Sequence, residues 1–255
     1  MTVLDRFRLD GQTAVVTGGN RGIGRAIATG LAEVGSDVVV ANRDGESGRE
    51  AAAAIADETG ADTLAVETNV TDEEAVEAMV ERTLDEFGDV DILVNNAGIV
   101  HHNAVADKSV AEFAETIDVN LTGAYRCAKY AGEVMKAGDG GAIINVSSMS
   151  AFVANYPQRQ VDYQASKGGL EAFKTQLASE WAEHGIRVNN ICPGYVVTDN
   201  IVHGDDTLET WRSEMLVDEF ASPADIAPLA VYLASDAAWY VTGESVVIDG
   251  GYTVR

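Results

Sequence analysis

Residues 13–24 read TAVVTGGNRGIG: a short run of small and β-branched residues, then a glycine-rich turn, then the opening of an apolar, helix-forming stretch. The uncharged run 13–17 suits a strand buried on both faces, and such strands belong to parallel sheets covered by helices. Gly18, Gly22 and Gly24 let the backbone turn tightly and bring its N–H groups close to an anion. The positive end of the following helix attracts the same anion. A strand, glycine turn and helix in that order is how a parallel α/β fold cradles the pyrophosphate of a dinucleotide. The spacing here is G-x-x-x-G-x-G rather than G-x-G-x-x-G.

Working outward, apolar runs at 37–41, 61–66, 91–94, 142–146, 186–191 and 245–248 read as further strands. Amphipathic stretches at 22–34, through the alanines at 51–54, and near 72–86, 109–136, 161–184 and 223–234 read as helices. The alternation predicts an α/β fold, a single doubly wound Rossmann domain over 1–255 with about seven parallel strands and helices on both faces. No internal repeat, low-complexity tract or linker marks a second domain. The acidic segment 199–217, which carries Trp211 and Met215, lacks clear periodicity and is expected to form a mobile lid.

The chain has 255 residues, 46% of them hydrophobic, enough for a continuous core but with no run long enough to cross a bilayer. Its first residues, MTVLDRFRLDG, lack the apolar core of a signal peptide, so a cytoplasmic location is expected. Cys127 and Cys192 stand 65 positions apart with no CxxC, which points to neither a metal site nor a disulfide framework. A net charge of −24, from 41 acidic against 17 basic residues, makes nucleic acid and anionic membranes poor partners. Five lysines against twelve arginines fit either salt adaptation or a GC-rich genome.

Tyr163 and Lys167 are spaced i, i+4, which places them on one helix face a turn apart. The predicted helix starts at the carboxyl side of the sheet, where ligands bind, and the hydroxyl pair Ser147-Ser148 ends the preceding strand on that side. These groups suit hydride transfer at a carbonyl, because the alkoxide formed must be protonated and the reverse reaction must remove that proton. An ordinary tyrosine, with a pKa near ~10, is a poor base at neutral pH. A nearby ammonium favours the phenolate.

Together these motifs resemble the short-chain dehydrogenase/reductase family. The TGxxxGIG turn is followed in order by Asn95-Asn96-Ala97-Gly98, Asn120, Ser147-Ser148, Tyr163-x-x-x-Lys167, Pro193-Gly194 with Thr198, Val241-Thr242-Gly243 and Asp249-Gly250-Gly251. The resemblance covers essentially the whole chain. It implies that Tyr163 is the acid/base, that Lys167 lowers its pKa and binds the nicotinamide ribose, and that Ser148 holds the substrate oxygen. Asn120 would hold a water that links Lys167 to solvent. Gly18, Asn20, Arg21, Gly22, Ile23 and Gly24 would hold the dinucleotide with Asn96, Ala97 and Gly98. Asn69, standing where the family commonly has an Asp, and Val70 would meet the adenine. Pro193, Gly194, Val196 and Thr198 would hold the nicotinamide, although Thr198 also reads as a helix cap ahead of Asp199. Family members commonly form homotetramers through the helices at 109–136 and 161–184.

An acid at the end of the second strand would select NAD, but here Asn42 stands in its place and Arg43 follows. With Arg21 adding positive charge, NADP(H) is favoured and NAD(H) is the alternative. Asp44 reads as a helix cap or a second ribose ligand. The loop from Ser148 to Tyr163, SMSAFVANYPQRQVDY, resembles the branch of sugar-alcohol dehydrogenases and NADPH carbonyl reductases. That branch implies a polyol, ketose or small ketone substrate, with Ser150, Asn155, Tyr156, Gln158 and Tyr195 as pocket candidates. His101-His102 reads equally as a pocket edge or an exposed loop. An NAD-linked aryl or secondary alcohol dehydrogenase is the alternative. A ketoacyl reductase ranks third because an acidic surface repels an acidic carrier protein. A non-catalytic dinucleotide sensor would be expected to lack the Ser/Tyr/Lys set.

Overall fold

The computed structural model describes residues 2–198 and 205–255. Seven strands, β1 (Thr13–Thr17), β2 (Asp37–Asn42), β3 (Thr63–Glu67), β4 (Ile92–Asn95), β5 (Gly141–Val146), β6 (Ile186–Pro193) and β7 (Ser245–Ile248), form one sheet. Their order is 3-2-1-4-5-6-7 and every pairing is parallel. The order reverses between β1 and β4, which opens a crevice at their carboxyl ends.

Alternation along the strands divides the core into two layers. Ala14, Val16, Val38, Val40, Ile92, Val94, Ile144 and Ile191 face one layer with Ile27 and Leu31 of α1 (Gly22–Glu33), Ile55 of α2 (Gly45–Thr59) and Leu233 of α8 (Ala227–Ala234). Val15, Val39, Leu93, Ile143 and Val188 face the other. There they meet Met79 of α3 (Glu73–Phe87), Cys127 and Met135 of α5 (Gly123–Ala137), and Leu177 and Trp181 of α6 (Val161–Trp181). Both faces are therefore covered, as the uninterrupted apolar strands require. Asp44 caps α2 by accepting from Glu46 N at 3.1 Å and Ser47 N at 3.3 Å, and Asp72 caps α3 in the same way. Of the two readings of Asp44, the structure shows the cap.

Three details depart from the sequence reading. The stretch 109–136 is not one helix: α4 (Val110–Ile117) and α5 are separated by a π turn, Asp118–Thr122, that carries Asn120. A single wide turn leaves the apolar periodicity nearly intact and so escapes a pattern search. The helix from 161 ends at Trp181, where a 3-10 turn, Ala182–His184, and the left-handed Gly185 take over. Within 199–217, residues 199–204 lie outside those described, but Asp205–Ser213 forms a helix, α7. Trp211 of α7 is buried, as is Met215 beyond it, and both pack with Met149 and Tyr195. Leu216 and Val217 donate backbone bonds to Gly250 O, each at 2.9 Å, so this part is docked on the C-terminal segment. Among the described residues no helix is long and apolar enough to cross a membrane.

Candidate active site

The glycine turn follows β1 into α1 with Gly18 at φ +65° and Gly22 at φ +54°, backbone shapes that disfavour any side chain. Close approach matters as much as φ. A Cβ on Gly18 would lie 2.9 Å from Asn96 Nδ2, and one on Gly24 would collide with the same amide and with Gly18 O. Asn96 Nδ2 donates to Thr17 O at 2.9 Å and to Gly18 O at 3.2 Å. Thr17 Oγ1 accepts from Asn96 N at 3.0 Å and Ala97 N at 3.1 Å while donating to Val94 O at 3.3 Å. The loop after β4 is thereby stitched to the glycine turn, and Thr17, which the sequence reading did not single out, is the stitch.

At the carboxyl end of β2, Asn42 is buried and donates to Asp44 O at 2.5 Å and Ser47 Oγ at 3.3 Å. Ser47 also accepts from Asn20 Nδ2 at 3.0 Å, which links the glycine turn to α2. Asn42 Oδ1 is buried without a partner among the described residues. A buried acceptor left open costs free energy unless a donor arrives, and a ribose hydroxyl is such a donor. Arg43 and Arg21 are exposed at this rim. Asn69 is exposed and its Oδ1 accepts from Thr71 N at 3.3 Å, whereas Val70 is buried. Thr198 lies across from the turn, its Cγ2 3.5 Å from where a Gly22 Cβ would be. Its alternative as a helix cap concerns Asp199, outside the described residues. The glycine cradle, the open acceptor and the basic rim together fit a dinucleotide.

Ser148 follows the end of β5. Its Oγ donates to Ser150 Oγ at 3.0 Å, accepts from Ser150 N at 3.1 Å and lies close enough to the Tyr163 phenol to lower its pKa. Tyr163 stands in the first turn of α6, and Lys167 Nζ lies 5.4 Å from its ring centroid. The Lys167 ammonium is 4% exposed and donates to Val146 O at 2.6 Å. Burial lowers the Lys167 pKa to about 8, against the pull of Cys192 and Glu171. Burial also pushes the Tyr163 phenol up, and the Ser148 hydrogen bond opposes that rise. Of the sequence candidates, Ser148, Tyr163 and Lys167 are thus brought together.

Asn120 sits in the π turn with its side chain fully engaged. Nδ2 donates to Ile99 O at 2.9 Å and Ser166 Oγ at 3.0 Å, and Oδ1 accepts from Ile99 N at 2.8 Å. It therefore ties the loop after Gly98 to α6. His101 is half-buried and His102 exposed; the His101 carbonyl accepts from Lys108 Nζ at 2.8 Å.

Beyond Ser148 runs a buried polar chain. Gln160 Nε2 donates to Ser150 Oγ at 3.3 Å and Asn155 Oδ1 at 3.1 Å. Asn155 Nδ2 reaches Tyr195 OH at 3.5 Å, and that hydroxyl donates to Gln158 Oε1 at 3.0 Å. The Tyr195 ring stacks on Trp211 at 4.1 Å between centroids. Tyr156 is not part of this chain: it is 74% exposed, and its carbonyl accepts from Trp211 Nε1 at 3.2 Å. The sequence reading passed over Gln160, although it is the second glutamine of the Pro157-Gln-x-Gln run.

A phenol, a serine hydroxyl and a buried ammonium beside a dinucleotide cradle at a switch point define a nicotinamide-dependent oxidoreductase of the Rossmann class. A family model described as enoyl-(acyl carrier protein) reductase matches residues 18–253. The chain is 37% identical to the NADP-dependent mannitol dehydrogenase of Hypocrea jecorina, covering 99% of this chain and 96% of the relative. It is 38% identical to the 3-oxoacyl-[acyl-carrier-protein] reductase of Staphylococcus aureus, covering 94% and 97%. A short-chain type dehydrogenase/reductase from Mycobacterium marinum superposes with a TM-score of 0.96 at 37% identity, over 100% of both chains. The chain belongs to the short-chain dehydrogenase/reductase family and is an oxidoreductase.

Proposed function

We propose that this enzyme interconverts a secondary alcohol and its carbonyl on a polyol, ketose or small ketone, with NADP(H) as the favoured dinucleotide. The observation that carries the reading is the convergence of Ser148, Tyr163 and Lys167 at the carboxyl edge of the sheet beside the glycine turn. The bound dinucleotide supplies or accepts the hydride. Tyr163 Oη gives its proton to the nascent alkoxide in reduction and takes it back in oxidation. Ser148 Oγ, next to the Tyr163 phenol, holds the substrate oxygen beside that proton. Lys167 places positive charge 5.4 Å from the phenol ring, and positive charge there favours the phenolate. Asn120 serves as a positioning residue, and water linking Lys167 to solvent would meet the π turn's backbone rather than the engaged side chain.

The cofactor preference is supported by Arg43 and Arg21 at the ribose rim, by the lack of an acid at Asn42, and by the NADP-dependent relative. The polyol preference is supported by the mannitol dehydrogenase likeness and by the polar chain beyond Ser148. The ketoacyl relative is as similar overall, but the net charge of −24 opposes docking of an acidic carrier protein. We read the enzyme as one domain, a cytoplasmic homotetramer with the segment 199–217 as a substrate lid and without nucleic-acid or membrane partners. Loss of reduced-nicotinamide absorbance, followed with NADPH and NADH against ketoses, small and aryl ketones and an acetoacetyl thioester, tests the reading. Turnover should be fastest with NADPH and a ketose or small ketone; turnover confined to the thioester would overturn the substrate assignment.

A further inference from the structure

Beneath the catalytic groups the sheet is polar where it should be driest. Asn95 on β4, Asn145 on β5, Asn190 on β6 and Ser245 on β7 lie side by side in register. Asn95 Nδ2 donates to Asn145 Oδ1 at 3.0 Å, Asn145 Nδ2 to Asn190 Oδ1 at 2.9 Å, and Asn190 Nδ2 to Glu171 Oε1 at 2.9 Å. Three buried amides pointing the same way must end on an acceptor. A glutamine would satisfy that need, yet the acceptor is a carboxylate, which costs far more to bury.

Glu171 is also bonded by Cys192 Sγ at 3.5 Å and by Ser245 Oγ. It lies four residues after Lys167, on the same face of α6 and one turn on. Ser147 Oγ in turn donates to Lys167 O at 3.4 Å. One side chain thus ties β6 and β7 to the helix turn that presents Lys167, while Ser147 at the end of β5 bonds that turn's backbone.

We propose that Glu171 is a positioning residue of the active site: clasped by β6 and β7, its carboxylate fixes the turn of α6 that presents Lys167 beside Tyr163. The proposal rests on the roles given above to Lys167 and Tyr163. The titratable groups facing this spot are Tyr163 and Lys174 on α6 and Cys192 on β6. β5 and β7 contribute the Ser147 and Ser245 hydroxyls. Lys174 Nζ stands 3.9 Å from the Glu171 carboxylate but spends its bonds on Gly243 O at 2.8 Å and Ser245 Oγ at 2.9 Å. Burial draws Lys167 down to about 8 against the upward pull of Cys192 and Glu171, so removing the carboxylate lets burial lower it further.

Glu171→Gln keeps an acceptor for Asn190, removes the charge and turns the group facing Ser245 from acceptor to donor, which the Ser245 hydroxyl can accept. In the reductive direction, the alkaline limb of kcat/KM should move to lower pH by about one unit, because the Lys167 ammonium is then lost sooner. Glu171→Asp, which keeps the charge, should leave the limb near its original place. If Glu171→Gln strands Lys174 and fails to fold, the double variant Glu171→Gln/Lys174→Met removes both buried charges and should show the same shift. A folded variant with an unmoved limb would reduce Glu171 to a structural clasp and overturn the proposal. Lys167→Met, run alongside, should abolish turnover. If it does not, the reading of Lys167 fails and the proposal with it, a result distinct from an unmoved limb with Lys167 essential.

Discussion

Arg43 stands exposed beside the buried Asn42, and the proposed NADP(H) preference rests on these two side chains. If Arg43 pairs with a 2′-phosphate, Arg43→Ala should lower kcat/KM with NADPH and spare NADH. A charge-assisted bond is worth about 1.5–3 kcal/mol, or roughly ten- to a hundred-and-fifty-fold. Asn42→Asp would place a carboxylate at the phosphate position and should turn preference toward NADH. Steady-state kinetics with both cofactors checks each, and an equal loss with both in Arg43→Ala would argue against phosphate recognition. At this scale the sequence was informative wherever a motif fixes chemistry, as in the glycine turn and the Tyr163–Lys167 spacing. It was uninformative about partners. Nothing in a linear reading reveals that Thr17 secures the loop after β4, that Asn120 spends its amide on Ile99 and Ser166, or that Gln160 rather than Tyr156 joins the polar chain. Those facts depend on side chains converging from distant elements.

Among the elements, α6 depends on a buried ion pair at its first turn. Lys108 Nζ meets Asp162 Oδ2 at 2.8 Å with side chains 3% and 0% exposed, and Thr116 Oγ1 adds a bond at 2.7 Å. Burial pushes the Asp162 carboxyl up, but the bonds from Lys108 and Thr116 outweigh it and leave its pKa below the ordinary value. A carboxyl lowered on folding stabilises above its unfolded pKa, and that contribution is lost as pH falls through the lower folded value. Lys108→Met leaves a buried carboxylate unpaired, which should cost about 3–5 kcal/mol at neutral pH. The variant's deficit should shrink on acidification, since protonation relieves the unpaired charge. Denaturant unfolding across pH measures both effects, and a neutral-pH loss below about 1 kcal/mol would contradict the account. The strands and most helices were legible because burial on two faces leaves near-continuous apolar runs. The π turn was not, since one extra residue per turn barely disturbs periodicity. Nor was α7, whose buried Trp211 finds its partner in Tyr195 from a different part of the chain.

At the scale of the whole molecule, the exposed apolar residues Val110, Phe113, Tyr125 and Val161 lie on α4, α5 and α6, the helices through which the proposed tetramer would form. Gel filtration should show a species about four times the chain mass of 26.9 kDa, persisting on dilution; a monomer across a wide concentration range would contradict this. The topology was legible from the βαβ alternation, whereas assembly rests on surface residues whose pattern carries no partner's name. The central claim is that Tyr163 transfers the proton while the rest of the fold binds the dinucleotide. Its most direct test is Tyr163→Phe, assayed for turnover with a carbonyl substrate and for dinucleotide binding by fluorescence titration. The account predicts turnover below about a tenth of wild type with binding largely intact. Retained turnover in a folded, dinucleotide-binding variant would contradict it.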